Sequence, residues 1–298
     1  MSIRVLLLTC VVATLWCPGE TRGQTASPAV RLAVLDFGDG PLGRLAAEKL
    51  ASSLKLESAA AVVDRDLSRS AAKGVGYSGS LNLSLADARD LGAALGSDFL
   101  IIGDSQTLRR SPSTVPFYFE SYASVFVVSA RTGKLVQWQR PSIKAERPEI
   151  AERSLLTQLE SEETRKQIWQ AIRKAHDDER EARAMVIDSQ TPFIEAAPDD
   201  EKEAQAAGLR LPRPFRRLIP AYTASAAEAE AEATVDVVVD ISDKGDVMRV
   251  DVARWAGFGL DESTVTTVQR LNFFPAMRDG VPVPMRVLLR YNFRKPPK

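Results

Sequence analysis

The chain has 298 residues, 45% of them hydrophobic and 26% charged, with zero formal net charge and a single histidine. That balance describes a globular protein with room for two modest domains. Zero net charge argues against a general electrostatic grip on nucleic acid or anionic lipid, and one histidine, His176, leaves His-based zinc sites and a Ser-His-Asp triad short of parts.

The first residues, "MSIRVLLLTCVVATLWCPGETRGQTASPA", carry Arg4 and an apolar run from Val5 to Trp16. About a dozen apolar residues suit a signal-peptide core better than a membrane span, which needs about 20. Gly23 and Ala26 offer cleavage points, so residues 1–26 read as a cleavable signal and the mature protein as periplasmic. A retained segment would instead make an inner-membrane anchor. Both cysteines, Cys10 and Cys17, lie here, so cleavage leaves no thiol for a disulfide, a nucleophile or a metal. Trp16 stands where lipoprotein signals have a small residue.

From Val30, "VRLAVLDFGDG" reads as a buried strand ending in a Gly-rich turn. "PLGRLAAEKLASSLKL" carries a helical stripe of Leu45, Leu50 and Leu54 with interleaved alanines, and "AAVVDRDL" reads as a second short buried strand. "SLADARDLGAALG" opens on Ser84-x-x-Asp87 and stops at Gly96, the signals of a capped helix. "DFLIIGDSQ" is a third strand, and "FYFESYASVFVVSARTGKLVQWQ" alternates across Thr132-Gly133-Lys134 as a hairpin. Strands and helices in this order predict an α/β domain with a mixed sheet over residues 29–145.

"EIAERSLLTQLESEETRKQIWQAIRKAHDDEREARAMV" is amphipathic through Leu155, Leu159, Ile168, Trp169 and Ile172, so it should pack on that sheet. Residues 146–217 thus read as a helical segment followed by a Pro- and charge-rich linker. Its basic cluster, Arg210, Arg213, Arg216 and Arg217, suits a phosphate, a membrane surface or, more commonly, a hydrated connector. Residues 218–298 form the last domain. Val235, Val237, Val239 and Ile241 alternate with acids, Asp243-Lys244-Gly245-Asp246 turns, and Met248, Val250 and Val252 return. "LDESTVTTVQRL" is a short helix with Asp261 and Glu262 in its first turn. In the closing strand Met285, Val287, Leu289, Tyr291 and Phe293 face one way, and Arg286, Arg290 and Asn292 the other. The predicted class is α/β with a C-terminal α+β unit: a small three-stranded antiparallel sheet under one helix. A core that small should be only modestly stable alone.

Sites of chemistry are sparse. "GVGYSG" matches G-x-G-x-x-G but follows "DRDLSRSAAK", a polar loop and not a strand, so a flexible loop is the better reading. Asp36, Asp64 and Asp66 lie at strand ends, where carboxylates bind metal, act as acid and base, or cap turns; capping is favoured. Phe117, Tyr118, Phe119 and Tyr122 form an aromatic patch on the hairpin, with packing as the default. No catalytic residue, metal site or cofactor is predicted.

The C-terminal residues resemble the TonB C-terminal domain family through Pro220-Ala-Tyr222, "VDVVVDISDKGDVMRVDV", Leu260-Asp261, "FFPAMRDGVPV" and the closing strand, over residues 218–294. In that family the final edge strand takes up a short extended peptide of an outer-membrane transporter. The resemblance implies a partner-binding edge over Arg286, Val287, Leu288, Leu289, Arg290, Tyr291, Asn292 and Phe293, with Pro220 and Tyr222 alongside, working by β-strand addition. Thr223 departs from the family's proline, and "AEAEAEATV" lacks its glycine. A transducer of that family also needs a retained membrane helix and a long Pro-rich spacer. Residues 30–139 resemble the periplasmic α/β domain of the curli-secretion and flagellar-assembly lipoprotein group, through "LAVLDFGDG", "VVDRD", "ARDLGAALGSDFLIIGDSQ" and "SARTGKLVQWQ".

The reading is therefore a non-enzymatic periplasmic adaptor whose partner is an extended segment of an envelope or outer-membrane protein. Nucleic acid is not expected as a partner, and membrane contact would come through the partner or an N-terminal anchor. A homodimer stays open. The alternatives are a TonB-type energy transducer and a small-ligand receptor or enzyme using the strand ends at Asp36 and Asp64.

Overall fold

The computed structural model describes residues 29–111, 117–185, 194–198 and 201–295. The signal-peptide reading falls outside them; among the described residues no helix is long and apolar enough to cross a membrane. The first region comprises β1 (Val30–Val34), α1 (Pro41–Leu54), β2 (Ala60–Val62), α2 (Arg65–Gly74), α3 (Leu85–Leu95), β3 (Phe99–Arg110), β4 (Tyr118–Ser129), β5 (Leu135–Gln139) and β6 (Ser142–Ala145). Its six-stranded sheet runs β2-β1-β3-β4-β5, with β6 also pairing β4. β1 is parallel to β2 and β3, and the rest is antiparallel, the expected mixed sheet.

Local sequence explains these elements. Ser84 and Asp87 form a reciprocal capping box at α3, and Gly96 closes it in the left-handed conformation. In α1 the buried stripe is Ala46, Ala47, Leu50, Ala51 and Leu54, whereas Leu45 is exposed, a correction to the predicted stripe. The polar run after β2 is a helix, α2, and not a loop: Asp64 accepts from the amides of Asp66 and Leu67 as its N-cap. Gly74 ends that helix, so the Gly-x-Gly run lacks the strand-to-helix turn that a dinucleotide site needs.

The helices α4 (Pro148–Glu160) and α5 (Glu162–Met185) lie on one face of the sheet with α1. Leu155, Leu159, Ile168, Trp169 and Ile172 are buried there against Leu32, Val34, Val125 and Val127, as their amphipathic spacing implies.

The stretch read as a linker is built into the C-terminal fold. It supplies α6 (Glu201–Ala206), β7 (Leu209–Arg210) and β8 (Arg213–Pro214). Next come α7 (Ala224–Ala229), β9 (Ala233–Ile241), β10 (Val247–Arg254), α8 (Leu260–Val268), β11 (Phe273–Phe274), β12 (Ala276–Arg278), β13 (Val281–Val283) and β14 (Met285–Phe293). β7 pairs β12, and β8 pairs β11. Strands of two residues carry no readable period, which is why composition alone suggested a connector. The main C-terminal sheet runs β10-β9-β14, all antiparallel, with α8 packed on β9 and β10. A register shift between Val247 and Arg249 turns Met248 to solvent while Val250 and Val252 pack inward, so one bulge breaks the predicted alternation.

The second face of the large sheet and the inner face of the small one share a single core. Phe126 and Val128 meet Trp255 and Phe258 there, together with Val235, Val237 and Val239. Phe126 stacks on Trp255 at 5.8 Å and meets Phe258 edge-on at 5.5 Å. Gly257, at φ +73°, makes this approach feasible: a Cβ there would lie 2.5 Å from the Phe126 ring. Polar contacts fix the register. The Trp255 indole donates to Gly133 O at 3.0 Å. The Asn82 carboxamide accepts from Thr234 N–H and donates to the carbonyls of Thr234 and Trp255.

Candidate functional site

The site is built from β14 outward. It pairs with β9 along its length, Met285 opposite Ile241 and Phe293 opposite Ala233, and occupies the edge of its sheet. Arg286 N–H donates to Glu195 O at 2.8 Å, and Arg286 O accepts from Ala197 N–H at 2.7 Å. The Arg286 main chain therefore points away from β9. The pleat repeats every second residue, so Leu288, Arg290 and Asn292 also present N–H and C=O outward, whereas Val287, Leu289, Tyr291 and Phe293 bond to β9.

Among the described residues no strand pairs Leu288, Arg290 or Asn292 on that side. The expected open edge is thus shortened. Its first position is taken by the chain's own residues 195–197, through a parallel bridge of Ala196 to Arg286. A single bridge before Pro198 leaves no periodic signal, so the contact was invisible in sequence.

The side chains fall into two sets. Val287, Leu289 and Tyr291 pack on the shared core, and Met285 and Phe293 are buried at the two ends. On the opposite face Arg286 grips Asp240 through two bonds of 2.6 and 2.9 Å, and Arg290 grips Asp236 through two of 2.7 and 3.0 Å. Both aspartates are 5% exposed. Asp236 also takes Arg254 Nε at 3.3 Å. The hydrogen bond from Arg290, outweighing burial, holds the Asp236 carboxyl below the ordinary range. Charged residues on an edge strand commonly guard it against pairing. Here both guanidiniums are folded back across the sheet, and Leu288 between them is 54% exposed.

The remaining predicted residues serve the fold. Pro220 is buried, and the Tyr222 hydroxyl lies 3.0 Å from Ala226 O and 2.8 Å from Ala231 O, anchoring its own loop. Thr223 caps α7 by accepting from Ala226 N–H and donates to Phe258 O at 2.5 Å, so it ties α7 to the α8 side of the domain. The strand-end carboxylates, for which capping is favoured, are all engaged within the fold. Asp64 caps α2, Asp36 is held by Arg65 and Arg69, and Asp66 pairs with Arg69. On the hairpin, Tyr122 is packed under Arg140 at 4.1 Å and donates to Asp104, while Phe117 stays half exposed against Phe119.

Residues 219–294 match the protein family described as Gram-negative bacterial TonB protein C-terminal. This segment is similar to a TonB C-terminal domain. The edge strand β14 lies wholly within it. Among curated protein sequences no relative matches. Among solved structures, the hypothetical protein CT253 from Chlamydia trachomatis is 10% identical, covers 45% of this chain and 94% of its own, and has a TM-score of 0.32. LpoB from E. coli is 12% identical, covers 49% of this chain and 85% of its own, and scores 0.29. Lipoprotein GNA1162 from Neisseria meningitidis is 18% identical, covers 39% and 83%, and scores 0.29. Similarity of this extent assigns no function.

Proposed function

We propose that the protein is a non-enzymatic adaptor of the cell envelope, exported to the periplasm. Its TonB-like domain binds an extended peptide of an envelope or outer-membrane protein by strand addition on β14. One observation carries this reading: Leu288, Arg290 and Asn292 hold outward main-chain donors and acceptors on an edge strand whose charged side chains are turned away. A guest strand of about five residues, at ~3.3 Å per residue, spans that stretch. Exposed Leu288 offers it one apolar contact on the charged face.

The full chain with a photo-crosslinking residue at Leu288, expressed in its own envelope, should capture a discrete partner. Leu288→Pro or Arg290→Pro removes an outward amide, so capture through a crosslinker at Asn292 should be lost while circular dichroism stays unchanged. Undiminished capture by a folded proline variant would rule out edge pairing.

A further inference from the structure

A second surface of the C-terminal region points to a different contact. The segment "RPFRRLI" is fastened to the fold by β8, whose Arg213 and Pro214 pair with Phe274 and Phe273, and by Phe215 N–H, which donates to Asn272 O at 2.9 Å. This pairing sorts two adjacent phenylalanines. Phe273 is 1% exposed in the core, whereas Phe274 points outward and stays 58% exposed. Phe215 lies against Phe274 with ring centroids 4.3 Å apart, yet it too is 57% exposed. Four positions further along, Ile219 is 82% exposed.

Cations surround these apolar groups. Every residue from Arg213 to Arg217 is exposed, and neither Arg216 nor Arg217 forms an ion pair among the described residues. The whole chain is neutral, so this is a local concentration of positive charge and not a general one. None of the Phe215, Phe274 and Ile219 side chains lines the clefts beside β5 or between the two sheets. A paired, outward Phe set on an exposed two-strand ridge outside those clefts offers no enclosure for a small ligand. It suits a broad, yielding partner with an apolar interior and an anionic skin.

We propose that this ridge is a membrane-contact surface selective for anionic phospholipid. Phe215, Phe274 and Ile219 enter the boundary between headgroups and acyl chains, and Arg216 and Arg217 hold lipid phosphates through their forked donors. The apolar and cationic parts are each weak alone, and reversible membrane binding takes both. The ridge acts whether or not the β14 edge binds a peptide.

Vesicle co-sedimentation of the full chain tests this. The protein should sediment with phosphatidylglycerol-containing vesicles and far less with pure phosphatidylcholine, and added salt should release it. R216Q/R217Q should lower partitioning roughly tenfold or more, since each basic residue near an anionic surface contributes on the order of one power-of-ten step or somewhat less. F215S/F274S should lower it comparably, and both pairs are exposed, so thermal unfolding should be unchanged. Equal sedimentation of the unaltered chain with both vesicle types overturns the proposal, as does full binding by F215S/F274S. Binding of polyglutamate without vesicle association would assign the ridge to an acidic protein and overturn it equally.

Discussion

The two main sheets of this protein differ in how they obtain a core. The large sheet carries its own helices on both faces, α1, α4 and α5 on one and α2 and α3 on the other. The small sheet has one nine-residue helix, α8, and completes its interior with Phe126, Val128, Leu135 and Trp138 of its neighbour. A domain that small buries little apolar surface alone. The comparison teaches that a TonB-like module here is stabilised from outside itself, on the face opposite its charged ladder, and among the described residues Leu288, Arg290 and Asn292 stay unpaired at the β14 edge.

The dependence is broken most severely at Trp255. Trp255→Ala removes the ring stacked on Phe126 and the bond to Gly133 O, and should cost about 3–5 kcal/mol in urea unfolding. If the sheets are mutually dependent, both unfold together at lower urea; separate transitions, with the large sheet unaffected, would show independence. Next in size is a pH effect at Asp261. Burial, only partly offset by the amides of Ala256 and Gly257, pushes its carboxyl up to about 6. An acid whose folded pKa is raised contributes stability that is full below the unfolded value near 3.8 and is lost as pH rises through about 6. Unfolding free energy should therefore fall by on the order of 2–3 kcal/mol between pH 4 and 7 from this group, and Asp261→Asn should flatten that slope. Asp236, held low by Arg290, has the opposite sign and loses its contribution only in stronger acid.

Smaller effects sharpen where the two regions are joined. Asn82→Ala strands Thr234 N–H and two carbonyls at the junction and should cost about 2 kcal/mol, with faster hydrogen exchange at Thr234. Gly257→Ala sets a methyl against the Phe126 ring at a left-handed position; about 1–2 kcal/mol is expected, read as a lower thermal midpoint. A neutral result at both positions would mean that the junction adds little beyond Trp255.

Where local rules suffice, the elements were legible. The capping box at Ser84 and Asp87, the hairpins at Gly133 and Gly245, and the alternation of β9 and β14 all follow from residue spacing within one element. Helix α2 was missed because its run has few apolar residues and its start depends on one aspartate cap. The exposure of Met248 was missed because a bulge shifts phase without a sequence mark.

At the candidate edge, composition and period alone set which side chains of β14 face inward and which face the charged ladder, since a strand's period of two is intrinsic to the backbone. They could not reveal that Glu195 and Ala197 already hold Arg286, nor that Phe215 and Phe274 meet outside the core. Those facts arise from contacts between residues tens of positions apart, made by strands too short to carry a pattern. Only folding brings such partners together, because the pairing of distant backbone segments depends on where every intervening element packs.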